Sequence, residues 1–172
     1  FTALLQAKQS AASGWASRDD LRGLEILIVE DNLTNSTILR HYATSWQMGV
    51  TCVENAREAL AVLECAGRAG RHFDLALVDW KLPGMNGLEL LKIIKKDYPG
   101  IKTFVVTAFD EENKKAAETI GCDAFFAKPI GLDALKKKVI EVLSHTERRM
   151  KTLVKSQVLE GAPQAKLLFI LE

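Results

Sequence analysis

The stretch Leu75-Ala76-Leu77-Val78-Asp79-Trp80-Lys81-Leu82-Pro83-Gly84-Met85-Asn86-Gly87 carries the decisive pattern. A short apolar run ends on a carboxylate, and a turn-forming segment rich in Pro and Gly follows it. Apolar residues without polar alternation fit a strand buried on both faces. The same grammar recurs on either side. Ile26-Leu27-Ile28-Val29 runs into Glu30-Asp31, Thr103-Phe104-Val105-Val106 into Thr107, and Ala124-Phe125-Phe126-Ala127 into Lys128-Pro129. Three carboxylates, a hydroxyl and a lysine would then stand at the carboxyl ends of buried strands, where open α/β sheets place ligand chemistry.

Helical signals fill the gaps. Thr34 or Asn35 caps a helix with Ile38, Leu39, Tyr42 and Trp46 on one stripe. Asn55, with Glu58 three residues on, reads as a capping box opening a helix that bears Ala59, Leu60, Val62 and Leu63. A helix from about Leu88 to Tyr98 stops at Pro99-Gly100, and Asp110-Glu111-Glu112 puts acids in the first turn of the next, where the dipole favours them. A last helix starts near Leu132. With strands at Leu24–Val29, Val50–Val53, Leu75–Val78, Ile101–Val106 and Ala124–Ala127, five β-α repeats predict an α/β fold with a doubly wound parallel sheet. Spacing alone leaves the strand order open.

At 172 residues and 48% hydrophobic, the chain can bury one full core plus a flank. A net charge of +1 gives no reason to expect nucleic acid, and between Leu24 and His145 the 15 Lys and Arg stand against 17 Asp and Glu. Cys52, Cys65 and Cys122 are odd in number and lack C-x-x-C spacing, which fits reduced thiols in a cytoplasmic protein. No apolar run approaches a membrane span, although a longer parent protein could be membrane-anchored. His41, His72 and His145 form no recognisable site.

Asp79, Glu30-Asp31, Thr107 and Lys128-Pro129, each ending a different strand, together resemble the receiver domain of two-component response regulators and hybrid histidine kinases. Taken singly, each has a bland reading as a turn residue, cap or solvated lysine; the ordered set is what distinguishes them. The resemblance spans Leu24 to His145. It implies the flavodoxin-like strand order 2-1-3-4-5 and an Mg²⁺-dependent transfer of a phosphoryl group from phosphohistidine to Asp79. Asp79 would be a carboxylate nucleophile giving an acyl phosphate, and alignment with charge neutralisation supplies most of the catalysis in such transfers.

Asp31 and Asp79 can each give an oxygen to Mg²⁺, a cation that prefers few carboxylates, several waters and phosphate. The resemblance adds the Lys81 backbone carbonyl as a ligand and a role for Glu30 through metal-bound water. It also implies a cis Lys128–Pro129 bond, with Lys128 meeting the phosphoryl oxygens, and a switch in which Thr107 donates to the phosphoryl group while Phe125 turns inward. Pro83 and Gly87 fit the loop after the phosphoacceptor, and Trp80 is frequent there in receivers of hybrid kinases. Two departures stand out. The acidic pair is Glu-Asp rather than Asp-Asp, and Phe125 lacks the hydroxyl of a tyrosine switch.

The flanks point to a hybrid kinase. Phe1-Thr2-Ala3 resembles the end of a kinase ATP-binding domain, making residues 1–23 a linker. The stripe Leu132, Leu135, Val139 and Val142 continues through Met150, Leu153 and Val154 to Val158, predicting an extended C-terminal helix that Gly161-Ala162-Pro163 ends. Its apolar surface calls for a homodimer or interdomain partner. Lys166-Leu167-Leu168-Phe169-Ile170-Leu171-Glu172 repeats the pattern of the first strand, as the start of a second receiver or of another segment.

A receiver catalyses its own aspartyl phosphorylation and dephosphorylation. Its partners would be a histidine kinase phosphohistidine domain or a histidine phosphotransfer protein. The rival class is a receiver-like module that docks on such domains with little phosphorylation. An aspartate-nucleophile phosphatase is disfavoured because Lys81 stands where a second aspartate belongs, and a dinucleotide fold because no G-x-G-x-x-G follows the first strand. Nothing after the receiver region has helix-turn-helix character, and Lys136-Lys137-Lys138 reads as the solvated side of a helix.

Overall fold

The computed structural model describes residues 21–108 and 111–143. Of the expected linker, residues 21–23 are described, and Leu21 packs buried into the core. Residues 1–20, the helix beyond residue 143 and the second receiver strand lie outside the described residues. Five strands alternate with helices: β1 (Glu25–Val29), α1 (Leu33–Ser45), β2 (Gly49–Val53), α2 (Ala56–Arg68), β3 (Leu75–Asp79), α3 (Gly87–Asp97), β4 (Lys102–Thr107), α4 (Glu111–Ile120) and β5 (Ala124–Ala127). A further helix, α5, occupies 132–143.

All strands pair in parallel, in the order β2-β1-β3-β4-β5. Right-handed crossovers explain the layering. The path from β1 to β2 runs one way across the sheet, and the paths through β3, β4 and β5 run the other, so their helices fall on opposite faces. One face packs Leu27, Val29, Ala76, Val78 and Val105 against α2, α3 and Ala117 of α4. The other packs Ile26, Ile28, Leu75, Leu77, Phe104 and Val106 against α1 and α5. Each central strand therefore buries both sides, which is why its sequence does not alternate. Each fully buried Leu, Ile, Val or Phe contributes about 1.5–3 kcal/mol through area removed from water.

Edge strand β5 differs from the buried strand expected. The β5 residues are all half-buried, as are most of β2, because one flank of each faces solvent. Helix α1 also differs. Its cap is Asn32, whose side chain accepts from the Asn35 N–H, rather than Thr34 or Asn35. Its buried stripe is Ser36, Leu39 and Ala43, while Ile38 and Tyr42 stand exposed. An alanine carries the contact that a larger neighbour was expected to make. In α5 the buried stripe is Leu135, Val139 and Leu143, with Leu132 and Val142 only half-buried.

Asn55 caps α2 as expected, and Asn86 caps α3 in the same way, each accepting at 2.9 Å from the residue three places on. Glu58 reaches back to the Glu54 N–H at 3.1 Å, one residue earlier than a standard capping box.

Candidate functional site

The strand order reverses beside β1, whose neighbours are β2 and β3. Such switch points open a crevice at the carboxyl ends of the strands. Glu30 and Asp31 follow β1 into it, Asp79 is the last residue of β3, Thr107 the last of β4, and Lys128 follows β5.

Lys128 joins them. Its Nζ lies 2.6 Å from Asp79 Oδ2, and 2.9 and 3.2 Å from the Glu30 oxygens. The Lys128–Pro129 bond is cis, as expected. Glu30 and Asp79 are buried, with relative exposures of 3% and 6%. Asp31 is exposed, yet carboxylate oxygens of Glu30, Asp31 and Asp79 all come within 4.8 Å of one another. The Lys81 N–H donates to Asp79 Oδ1 at 3.3 Å, so Lys81 enters the site through its backbone.

Burial pushes the Asp79 carboxyl above the usual carboxylate range, with the Glu30 charge adding to it and Lys128 offsetting only part. Lys128 itself sits above the usual lysine value. Its burial acts downward, but the hydrogen bonds and charges of Asp79 and Glu30 outweigh that. The two shifts differ in origin: burial raises Asp79, and the pair of facing carboxylates raises Lys128.

The Thr107 hydroxyl is fully buried and is the one described buried side-chain polar atom without a hydrogen-bond partner. An unpaired buried hydroxyl costs free energy. A ligand oxygen brought into the crevice would give it an acceptor. Phe125 does not join the acidic cluster. It packs half-buried against the core on the α3 face and lines a cavity of about 380 Å³ with Glu118, Cys122 and Lys138. Trp80 is half-buried against the same core.

The loop after Asp79 is pinned closely. Trp80 N–H donates to Val106 O at 2.8 Å, and Gly87 N–H to Trp80 O at 3.0 Å. A Cβ at Gly87 would collide with the Asp79 carbonyl oxygen and lie 3.0 Å from the Trp80 Cα. Gly84 holds a left-handed φ of 80°, which glycine adopts without strain.

Sequence reading missed two site residues. Asn35 Nδ2 donates to Glu30 Oε1 at 3.0 Å, and the Asn32 N–H to the same oxygen at 3.4 Å. An amide donor at the third helical position, where a capping box carries Glu or Gln, was the available signal.

A family profile for the response regulator receiver domain matches residues 26–140. The chain belongs to the response regulator receiver family. The receiver is 35% identical over 122 residues to a cyclic di-GMP phosphodiesterase of Thermotoga maritima, covering 70% of this chain and 31% of that protein. It is 32% identical over 126 residues to the autoinducer 2 sensor kinase/phosphatase LuxQ of Vibrio vulnificus, covering 72% of this chain and 14% of that one. The chain thus spans about a third or less of the length of these relatives. Among solved structures, a CheY-like receiver domain protein of Methanospirillum hungatei superimposes with a TM-score of 0.67 at 33% identity, over 74% of this chain and 98% of that one.

The donor set fits the Mg²⁺ that receiver domains bind at such acidic pockets. It offers hard carboxylate oxygens alone, converging at an open crevice edge with Asp31 in solvent, and Mg²⁺ keeps several waters when bound. Among the described residues, no helix is long and apolar enough to cross a membrane.

Proposed function

We propose that this receiver accepts a phosphoryl group on Asp79 from a phosphohistidine, in a step that requires Mg²⁺. The observation that carries the reading is the 2.6 Å contact between Lys128 Nζ and Asp79 Oδ2 beside the carboxylates of Glu30 and Asp31. An Asp79 oxygen attacks phosphorus, the P–N bond to the donor imidazole breaks, and the imidazole leaves with the bonding pair and takes up a proton. Asp31, Asp79 and the Lys81 carbonyl would hold the metal, with Glu30 acting through a bound water. The metal supplies charge neutralisation for the phosphoryl oxygens. Lys128, released from part of its contact with Asp79, pairs with a phosphoryl oxygen, and the unpartnered Thr107 hydroxyl donates to another. Movement of the Thr107 loop and of Phe125 then changes the surface that partners read.

The donor is a histidine kinase phosphohistidine domain or a phosphotransfer protein. Leu33, Ile38 and Tyr42 stand exposed on α1, and Ile38 shares a cavity of about 430 Å³ with Glu30 and Lys128. Such apolar side chains beside the chemistry suit a docking protein. The likeness to a sensor kinase/phosphatase supports a hybrid-kinase setting, and a cytoplasmic location is part of the same reading. In this reading residues 24–145 are the receiver, and the segments on either side are flanks outside it.

The test is intact mass after incubation with Mg²⁺ and acetyl phosphate, beside Asp79→Asn. A gain of one phosphoryl group that needs both the metal and Asp79 is the expected result. Folded, Mg²⁺-binding protein that gains nothing from this donor or from a phosphohistidine domain would sink the reading in favour of a docking module.

A further inference from the structure

Asn35 belongs to a ring of hydrogen bonds that joins the start of α1 to Glu30. Its backbone N–H donates to Asn32 Oδ1 at 3.1 Å. The Asn32 N–H donates to Glu30 Oε1 at 3.4 Å, and Asn35 Nδ2 donates to that same oxygen at 3.0 Å. In a capping box the third helical side chain accepts from the N-cap N–H, and the helix start closes on itself. Here the third position holds a donor instead, and Glu30 takes the N-cap N–H. This helix closes on the site.

Glu30 needs such a hold. Its side chain has one more methylene, and one more rotatable bond, than Asp31 or Asp79. Lys128 reaches both Glu30 oxygens, at 2.9 and 3.2 Å, and a point charge on a flexible stem does little to fix a carboxylate plane. Asn35 does more, because its backbone is fixed by the cap. Asn35, Glu30 and Lys128 also line one cavity with Ile38, Leu39 and Pro129. Without the amide, water entering there could compete for Glu30 Oε1.

We propose that Asn35 is a positioning residue for the acidic cluster. It fixes the Glu30 carboxylate so that Lys128 stays shared between Glu30 and Asp79 and the cluster keeps its shape for a divalent cation. The inference rests on the reading above that the cluster takes Mg²⁺.

A double-mutant cycle tests it, with Mg²⁺ titrated into the full chain and followed by tryptophan fluorescence, since Trp80 adjoins Asp79. Outer-sphere partners of metal sites are worth 10–100-fold in affinity, so Asn35→Ala should weaken Mg²⁺ binding by about tenfold. In a Glu30→Ala background, where the amide has no carboxylate to hold, the same change should matter less than about twofold, as coupled sites require. Asn35→Leu, which keeps the branched skeleton but has no donor, should repeat both results, and thermal melts would verify that each variant is folded. Equal losses with and without Glu30 would reduce Asn35 to an ordinary helix residue and overturn the proposal, as would no loss in either. Wild-type protein that binds no Mg²⁺ would overturn the metal reading itself, and that failure shows before any variant is made.

Discussion

The backbone N–H of Lys128 donates to the carbonyl oxygen of Thr107 at 2.7 Å. The ammonium that meets Asp79 and the hydroxyl that lacks a partner thus hang from one rung between the ends of β4 and β5. A shift of the Thr107 loop toward a phosphoryl group would pull on the backbone of Lys128, so their responses should be linked.

Thr107→Val removes the buried, unpaired hydroxyl and keeps the shape of the side chain. The unphosphorylated protein should gain about 1 kcal/mol, the scale of a desolvated polar group left without a partner. The change in stability on phosphorylation should shrink. Urea melts with and without acetyl phosphate check both.

Asp79→Asn should raise the melting temperature at neutral pH. Burial, then the Glu30 charge, raise the folded-state carboxyl above its unfolded value, so the folded protein binds more protons in that window. Stability therefore falls as pH rises through it. The gain from asparagine should be full above the raised value and fade as the pH drops toward the ordinary carboxylate range. Melts across mildly acidic pH against wild type would expose an opposite trend.

Gly87→Ala should cost about 1–3 kcal/mol, the usual penalty for overpacking. The added methyl meets the Asp79 carbonyl, so Mg²⁺ affinity should drop with stability. A stable variant with unchanged metal binding would mean that the loop yields freely.

Asp123→Asn addresses the other end of the sheet. Asp123 Oδ2 accepts from Lys95 Nζ at 2.6 Å and from the Thr103 N–H at 2.9 Å. Its burial acts upward, but those bonds and the Lys95 and Lys102 charges outweigh it and hold the carboxyl below its ordinary value. The stability this contributes is present above the unfolded value and lost as pH falls through the folded one. The substitution should cost about 1–3 kcal/mol near pH 7 and little at strongly acid pH. Denaturant melts at both pH values read the difference.

The central strands were legible because burial on two faces leaves unbroken apolar runs, and the site residues because each follows such a run. Glu30, Asp31, Asp79, Thr107 and Lys128 all reach the crevice edge that this pattern predicts. The stripe of α1 was legible only in part, at Leu39 and Trp46. A small residue, Ala43, packs inward while Ile38 and Tyr42 face solvent, and a pattern weighted by side-chain size reads that helix one step out of phase. Asn35 was missed for another reason. Its amide at the third helical position was visible in the sequence, but its target was not: Glu30 lies across the start of the helix through a relation between backbone paths that local spacing does not encode.

The shared lysine has a consequence for the charge balance of the pocket. With all its carboxylates ionised, the cluster of Glu30, Asp31, Asp79 and Lys128 carries two surplus negative charges. A divalent cation would bring it to neutrality, and a phosphoryl group would tip it negative again. The pocket is then electrically quiet only between metal arrival and phosphorylation, and the renewed imbalance favours hydrogen-bond donors moving inward.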